Sequence, residues 1–296
     1  MKRAFCIVFS LLLVIGCLHV ASTAIAEEVQ RERGFFMPTS ITIVLANERV
    51  LAQEGIPEWM AEAAKIVMAN YGLYDKYLET EGHIPPGDII LRAQDTGAIG
   101  WASGPTLGFN ISWIAPGRGG HRDWGMVAHE LVHLIQGYPG GQQGAGLPFW
   151  AMEGLTDAMR HTFFEPEVPM RSVNPANASY TNAYQITAGF FMYIMDEYDT
   201  EFLRTLNRMG RTRTYSVDIF EESTGKGLDE LWAEYTEKIL VPHHRDNRRM
   251  VPATLFPNLM QHVQEFKEHF ATLEEEPRPG QEQPRGQGQG GQRQRQ

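Results

Sequence analysis

The spacing of apolar and polar positions divides the chain into a strand-rich first half and a helical second half. Residues 41–46 (Ile41-Thr42-Ile43-Val44-Leu45-Ala46) are β-branched and apolar, which predicts a buried strand. Pro57 opens a helix carried by Glu58-Trp59-Met60-Ala61-Glu62-Ala63-Ala64-Lys65-Ile66-Val67-Met68-Ala69-Asn70, and Gly72 can close it. Proline in the first turn and glycine just past the last is the asymmetry helices favour. Residues 88–93 read as a second strand, and residues 98–101 and 107–114 as two more around a turn at Ser103-Gly104-Pro105. From Trp124 the period changes, and helices are predicted around residues 124–136, 148–161, 183–197, 201–209 and 228–239. Strands first and helices afterwards predict an α+β fold, with a small mixed sheet packed on the helix near Trp124 and a mainly helical C-terminal half.

The two ends follow other patterns. Met1-Lys2-Arg3 precedes an uncharged apolar run that closes at Ala24-Ile25-Ala26, before Glu27-Glu28. That succession predicts a signal peptide over residues 1–26, cut after Ala26, rather than a lasting membrane span. Val14-Ile15-Gly16-Cys17 leaves a second outcome open, a lipoprotein anchored at Cys17. Residues 274–296 hold Glu, Gln, Gly, Arg and Pro with no apolar side chain, too little to offset ordering entropy, so they predict a disordered tail. Residues 27–273 then form one domain: a sheet-containing part over 40–120, a helical part over 121–240 and a C-terminal helical extension over 241–273.

Composition narrows the function. The 296 residues are 43% hydrophobic, enough for a sizeable core, and carry a formal charge of −10. An acidic chain is poorly suited to displacing counterions from nucleic acid. Both cysteines, Cys6 and Cys17, fall in the predicted signal, so cleavage after Ala26 leaves none. Loss of Lys2 and Arg3 takes the charge from −10 to −12. The expected location is outside the cytoplasm, secreted or periplasmic.

The chemistry concentrates in Met126-Val127-Ala128-His129-Glu130-Leu131-Val132-His133-Leu134-Ile135. Positions four apart share a helix face, so His129 and His133 can present ring nitrogens to one metal ion. Glu130 lies beside that face, where a carboxylate can act as general base without being a ligand. Apolar neighbours suit a helix buried against a sheet, and two buried histidines with a carboxylate between them need a partner such as a metal. A catalytic zinc site takes three protein ligands and leaves one position for water. Beyond a Gly-rich passage at 137–146, Glu153 on the next helix can supply the third ligand and Asp157 one turn on can accept the outer ring N–H of a ligating histidine, the alternative being an ordinary exposed Glu and Asp on an amphipathic helix. Gly154 lets the two helices approach closely.

His129-Glu130-Leu131-Val132-His133 followed by Glu153-Gly154-Leu155-Thr156-Asp157 resembles the thermolysin-like zinc peptidases that use a glutamate ligand, the zincins. The order of motifs is more closely similar to the basic secretory protein family of plant and bacterial peptidases. That order continues through Tyr184-Gln185-Ile186-Thr187-Ala188-Gly189-Phe190-Phe191 and Leu228-Asp229-Glu230-Leu231-Trp232-Ala233-Glu234-Tyr235. The resemblance spans about residues 41–240. It implies a zincin-like fold, Zn2+ held by His129, His133 and Glu153, Glu130 as base and Asp157 behind the ligands. The family name says basic and this chain is acidic, so substrate preference does not carry over.

Tyr184 is the candidate for stabilising an oxyanion, the alternative being a core tyrosine packed with Phe191 and Tyr198. His121, His161, His243 and His244 lie outside the motif spacing and read as surface or core residues. Trp101 and Trp113 read as sheet packing, and residues 108–111 as an exposed edge strand able to hold an extended peptide. The expected function is that of an exported zinc-dependent metallopeptidase with a peptide or protein substrate. A zinc hydrolase of a non-peptide amide or ester and a non-catalytic metal-binding surface protein are the alternatives.

Overall fold

The computed structural model describes residues 35–95, 97–139 and 146–275. The expected signal peptide, the possible anchor at Cys17, most of the Gly-rich passage and nearly all of the expected tail lie outside them.

Four strands form one mixed sheet in the order β1-β2-β4-β3: β1 is Ser40–Leu45, β2 Asp88–Gln94, β3 Gly100–Ser103 and β4 Thr106–Asn110. β1 and β4 flank β2 in parallel, and β3 returns antiparallel to β4 through a turn at Gly104. The register sets Ile41 against Ile89 and Leu91 against Leu107, so one face collects the buried Ile89, Leu91, Ala93, Leu107 and Phe109. That face packs on two helices, α2 (Ile56–Tyr77, after a short α1 at Glu48–Ala52) and, beyond the four-residue turn α3 (Ile111–Ile114), α4 (Trp124–Gln136). Trp59 of α2 joins the layers: its ring centroid is 5.1 Å from Phe109 and 5.1 Å from Trp124.

Four expectations about this half need correction. The run at 107–114 is not one strand, because the Asn110 side chain accepts from Ser112 N–H at 2.9 Å and caps α3 there. β4 is interior because β3 pairs along its other side, and the edge beside α4 is β3. Trp113 leaves the sheet with α3 and donates its indole N–H to Asp123 at 3.3 Å, whereas Trp101 does lie across the sheet, its indole 2.0 Å from where a Cβ on Gly108 would be. Gly72 does not end its helix. α2 continues to Tyr77, and Gly72 faces other elements there: a Cβ on it would lie 2.5 Å from Met37 Sδ and 3.0 Å from the Phe35 ring.

The C-terminal half is helical: α5 (Phe149–Met159) running into a π turn at Arg160–Phe164, α6 (Tyr184–Glu197), α7 (Phe202–Thr212), α8 (Ile219–Thr224) and α9 (Leu228–Tyr235). A second π turn at Thr236–Leu240 leads to α10 (Val241–Arg245), α11 (Pro252–Leu255) and α12 (Pro257–Glu275). α12 is no appendage. Phe270 meets Phe35 at 4.8 Å and Phe266 meets Tyr77 at 5.1 Å, so the last helix closes onto the first long one. Among the described residues no helix is long and apolar enough to cross a membrane.

One buried cation ties the layers beneath α4. Arg211 of α7 donates to the carbonyls of Ile135 (2.7 Å), Gln136 (3.0 Å) and Leu78, and to Thr80 Oγ1 (2.9 Å). The last carbonyls of a helix have no partner within it, so this guanidinium satisfies the ends of both α2 and α4. Arg211→Met should cost about 2–4 kcal/mol, since several buried carbonyls would lose a charged donor. Urea unfolding measures it, and a loss under 1 kcal/mol would mean the carbonyls are otherwise satisfied.

Candidate metal centre

α4 is held at both ends before it presents any chemistry. Asp123 caps it by accepting from Met126 N–H at 3.2 Å, and Asp123 is itself held by Trp113 and by Arg160 at 3.1 Å. Gly137 ends it in the left-handed region at φ 53, where only glycine is unstrained. Every residue from Gly125 to Gln136 is buried, so the polar side chains of this helix must find partners inside the protein.

His129, His133 and Glu153 find one another. His129 Nε2 lies 3.2 Å from His133 Nε2 and 3.2 Å from Glu153 Oε2, and His133 Nε2 lies 3.3 Å from the same carboxylate oxygen. The outer ring nitrogens are already engaged. His129 Nδ1 donates to Asp157 Oδ1 at 2.7 Å, and His133 Nδ1 to Gln136 Oε1 at 3.0 Å. With those N–H groups facing outward, a neutral ring has only a lone pair at Nε2, and three acceptor atoms would then face one point. Such an arrangement is repulsive unless a cation sits among them. A tetrahedral ion with bonds of about 2.0–2.1 Å holds its ligand atoms about 3.3 Å apart. The triangle fits one face of that tetrahedron, and the buried cluster could bind a metal ion.

The charges show the same demand. Burial opposes a charged His129, but Asp157 and then Glu153 outweigh it and push the imidazole up to about 10. Burial likewise opposes a charged Glu153, and its hydrogen bonds to both histidines nevertheless hold it down at about 2. Asp157 is also held low against its burial, chiefly by His129. Positive charge is favoured at the centre of this site whatever carries it.

Gln136 is the residue that the sequence reading missed. It lies three positions after His133 on the same face, and its amide continues to Thr156 Oγ1 at 3.2 Å, which in turn donates to Met152 O at 2.9 Å. The i,i+3 spacing was visible, but an amide at the end of an apolar helix resembles an ordinary exposed terminus. Gly154 also has another role than expected. A Cβ there would lie 2.3 Å from Thr187 Cγ2 and 3.2 Å from Phe191, so the glycine admits α6 rather than α4.

Glu130 stands outside the triangle, 6% exposed, with Oε2 unpartnered among the described residues. Burial, the largest effect, raises its pKa despite the two histidines. Its other oxygen lies against the β3 edge, where a Cβ on Gly100 would come within 2.7 Å. Gly100→Ala should therefore displace this carboxylate, and any catalysis that depends on it should fall about ten- to a hundredfold. Folding should change little, because the groups that must yield are the flexible ends of Glu130 and Met126. Equal kcat in the variant, with thermal stability measured alongside, would show that Glu130 tolerates the extra methyl.

Tyr184 begins α6. Its ring lies 6.1 Å from that of His129 at 25°, and 6.1 Å edge-on from Phe149, one turn before Glu153 on α5. It is not a core tyrosine: it is 48% exposed. Burial and then Glu153, Asp157 and Glu130 push its phenol up to about 12, so it stays a hydrogen-bond donor at neutral pH. The backbone leading to it is strained. Ala183 has φ 63, ψ −174, a region natural to glycine, and Tyr184 itself has φ 48. His161 is buried in the π turn, burial chiefly lowering it to about 4, with neither ring nitrogen partnered among the described residues. His121 and His243 donate to the Ile114 and Ile239 carbonyls at 2.8 and 2.7 Å and stand apart from the cluster.

A family model described as "Peptidase of plants and bacteria" matches residues 72–235, more than half the chain. The chain belongs to that family, the basic secretory proteins. No curated protein and no solved structure matches it. The match runs from the last turns of α2 through the triangle to Tyr235, so it contains every residue of the candidate centre, while β1 and α12 lie outside it. The basic secretory protein reading and the acidic charge of −10 coexist here, and the interior triangle is independent of that surface charge.

Proposed function

We propose that this chain is a zinc-dependent metallopeptidase of zincin-like construction, exported from the cytoplasm, that hydrolyses peptide bonds in peptide or protein substrates. The observation that carries the reading is the triangle of three lone-pair atoms with sides of 3.2, 3.2 and 3.3 Å, backed by Asp157 and Gln136. His129, His133 and Glu153 would hold Zn2+, which would supply an acidified water, pKa near ~7, and polarise the scissile carbonyl.

The remaining work belongs to the chain. Glu130, outside the triangle and raised in pKa by burial, takes the attacking water's proton and hands it to the leaving nitrogen. Tyr184 donates from its phenol to the negative charge developing on the carbonyl oxygen. Asp157 and Gln136 fix the ring planes of the two histidines. The side of β3 that no strand pairs among the described residues, rather than β4, would offer main-chain groups to an extended substrate beside Glu130.

Purified protein should contain about one zinc per chain and cut casein or a peptide library. Chelation should abolish cleavage and added Zn2+ restore it. Cleavage that survives chelation removes the metal from the reaction, and hydrolysis of small esters or amides with peptides left intact moves the site to another hydrolase class. Metal bound without any hydrolysis favours a binding protein.

A further inference from the structure

Large aromatic side chains in water lose the burial that would stabilise them, and two of the most exposed in this protein lie side by side. Phe149 is 55% exposed and Tyr184 48%. Their rings meet edge-on at 6.1 Å and 79°. Both border the metal centre: Tyr184 lies over His129, and Phe149 precedes Glu153 by one turn of α5. The arrangement is specified by backbone, since consecutive non-glycine residues, Ala183 and Tyr184, are held at positive φ to set the tyrosine ring there. The acidic groups of the site, Glu130, Glu153 and Asp157, are buried, whereas these two rings are exposed.

We propose that Phe149 and Tyr184 form the wall of a side-chain subsite next to the scissile bond, and that the enzyme selects peptides with a large apolar side chain, aromatic above all, at that position. The proposal rests on the peptidase reading and adds a substrate class to it. An incoming aromatic ring would cover the exposed face of Phe149 and pack beside Tyr184, gaining contact that glycine or alanine cannot make. Tyr184 would then both bound the subsite and donate to the carbonyl, whereas Phe149, with no polar atom, touches only the side chain.

The test uses the zinc-loaded full-length chain, its Phe149→Ala and Phe149→Leu variants, and a peptide library randomised on both sides of the cut. Products are read by mass spectrometry, and kcat/KM is measured for a peptide pair differing by Phe or Gly at the preferred position. The wild type should favour large apolar residues at one flanking position. Phe149→Ala should reduce the Phe-to-Gly ratio about tenfold, mainly through KM, and Phe149→Leu should retain most of it. A ratio is unaffected by the fraction of active molecules, so partial loss of zinc in a variant does not disguise the result. Wild-type cleavage without apolar preference, or a ratio unchanged in Phe149→Ala, overturns the subsite and leaves the peptidase reading standing. A zinc-loaded wild type that cuts no member of the library overturns both.

Discussion

Replacing Glu130 with Gln should lower peptide turnover about 10²–10⁴-fold while leaving the metal in place, the range a positioned general base contributes. The amide matches the carboxylate in shape, so the pocket bounded by Gly100 and Met126 stays filled, but it cannot take a proton. Retention of metal follows from geometry: the triangle closes through His129, His133 and Glu153, and Glu130 is not a corner of it. Stability should hold or rise, because burial is the main cost of this carboxylate's charge, and a neutral amide avoids it. The decisive measurements are kcat, zinc per chain and thermal midpoint on the same preparation. More than a tenth of wild-type turnover would assign the base elsewhere, and loss of zinc would make Glu130 a ligand.

How far the sequence reached depends on the range of the interactions involved. His129, Glu130 and His133 were legible because a helix maps four-residue spacing onto one face, and the apolar residues between them signalled burial. Glu153 and Asp157 were legible for the same reason on α5, and they face His129 because a buried carboxylate needs such a partner. What failed was longer in range or hidden in one residue's backbone. Residues 107–114 look like a uniform strand, yet one Asn110 cap turns the chain out of it, and the pairing of β3 along β4 passes the sheet edge to β3. Gly72 and Gly154 read as a helix stop and a contact with α4, but their neighbours are Met37 and Thr187, tens of residues away. Arg211 satisfies two helix ends from a third element, and no local pattern announces that. The strain at Ala183 is likewise invisible in an alanine codon, because only the fold forces its φ positive.

Zinc binding separates a ligand from the residues behind it. Glu153→Ala should weaken zinc by more than a hundredfold and take an isolated sample from about one ion per chain to a small residue of that, because a catalytic site reduced to two protein ligands loses its anionic corner. Asp157 and Gln136 would still hold the two rings by their outer nitrogens, so the loss would come from the missing ligand and not from rings turned away. Asp157→Asn gives the contrast. Asparagine can still accept from His129 Nδ1 but carries no charge, and loss of such a supporting group costs about 10–100-fold in metal affinity. Competition against a chelating dye orders the two variants, and Glu153→Ala should be the weaker binder. Each should also lose the part of its thermal stability that the bound ion contributes, by mass action, in proportion to the zinc it fails to hold. Full occupancy in Glu153→Ala would remove Glu153 from the ligand set, and equal affinities in the two variants would leave no distinction between corner and support.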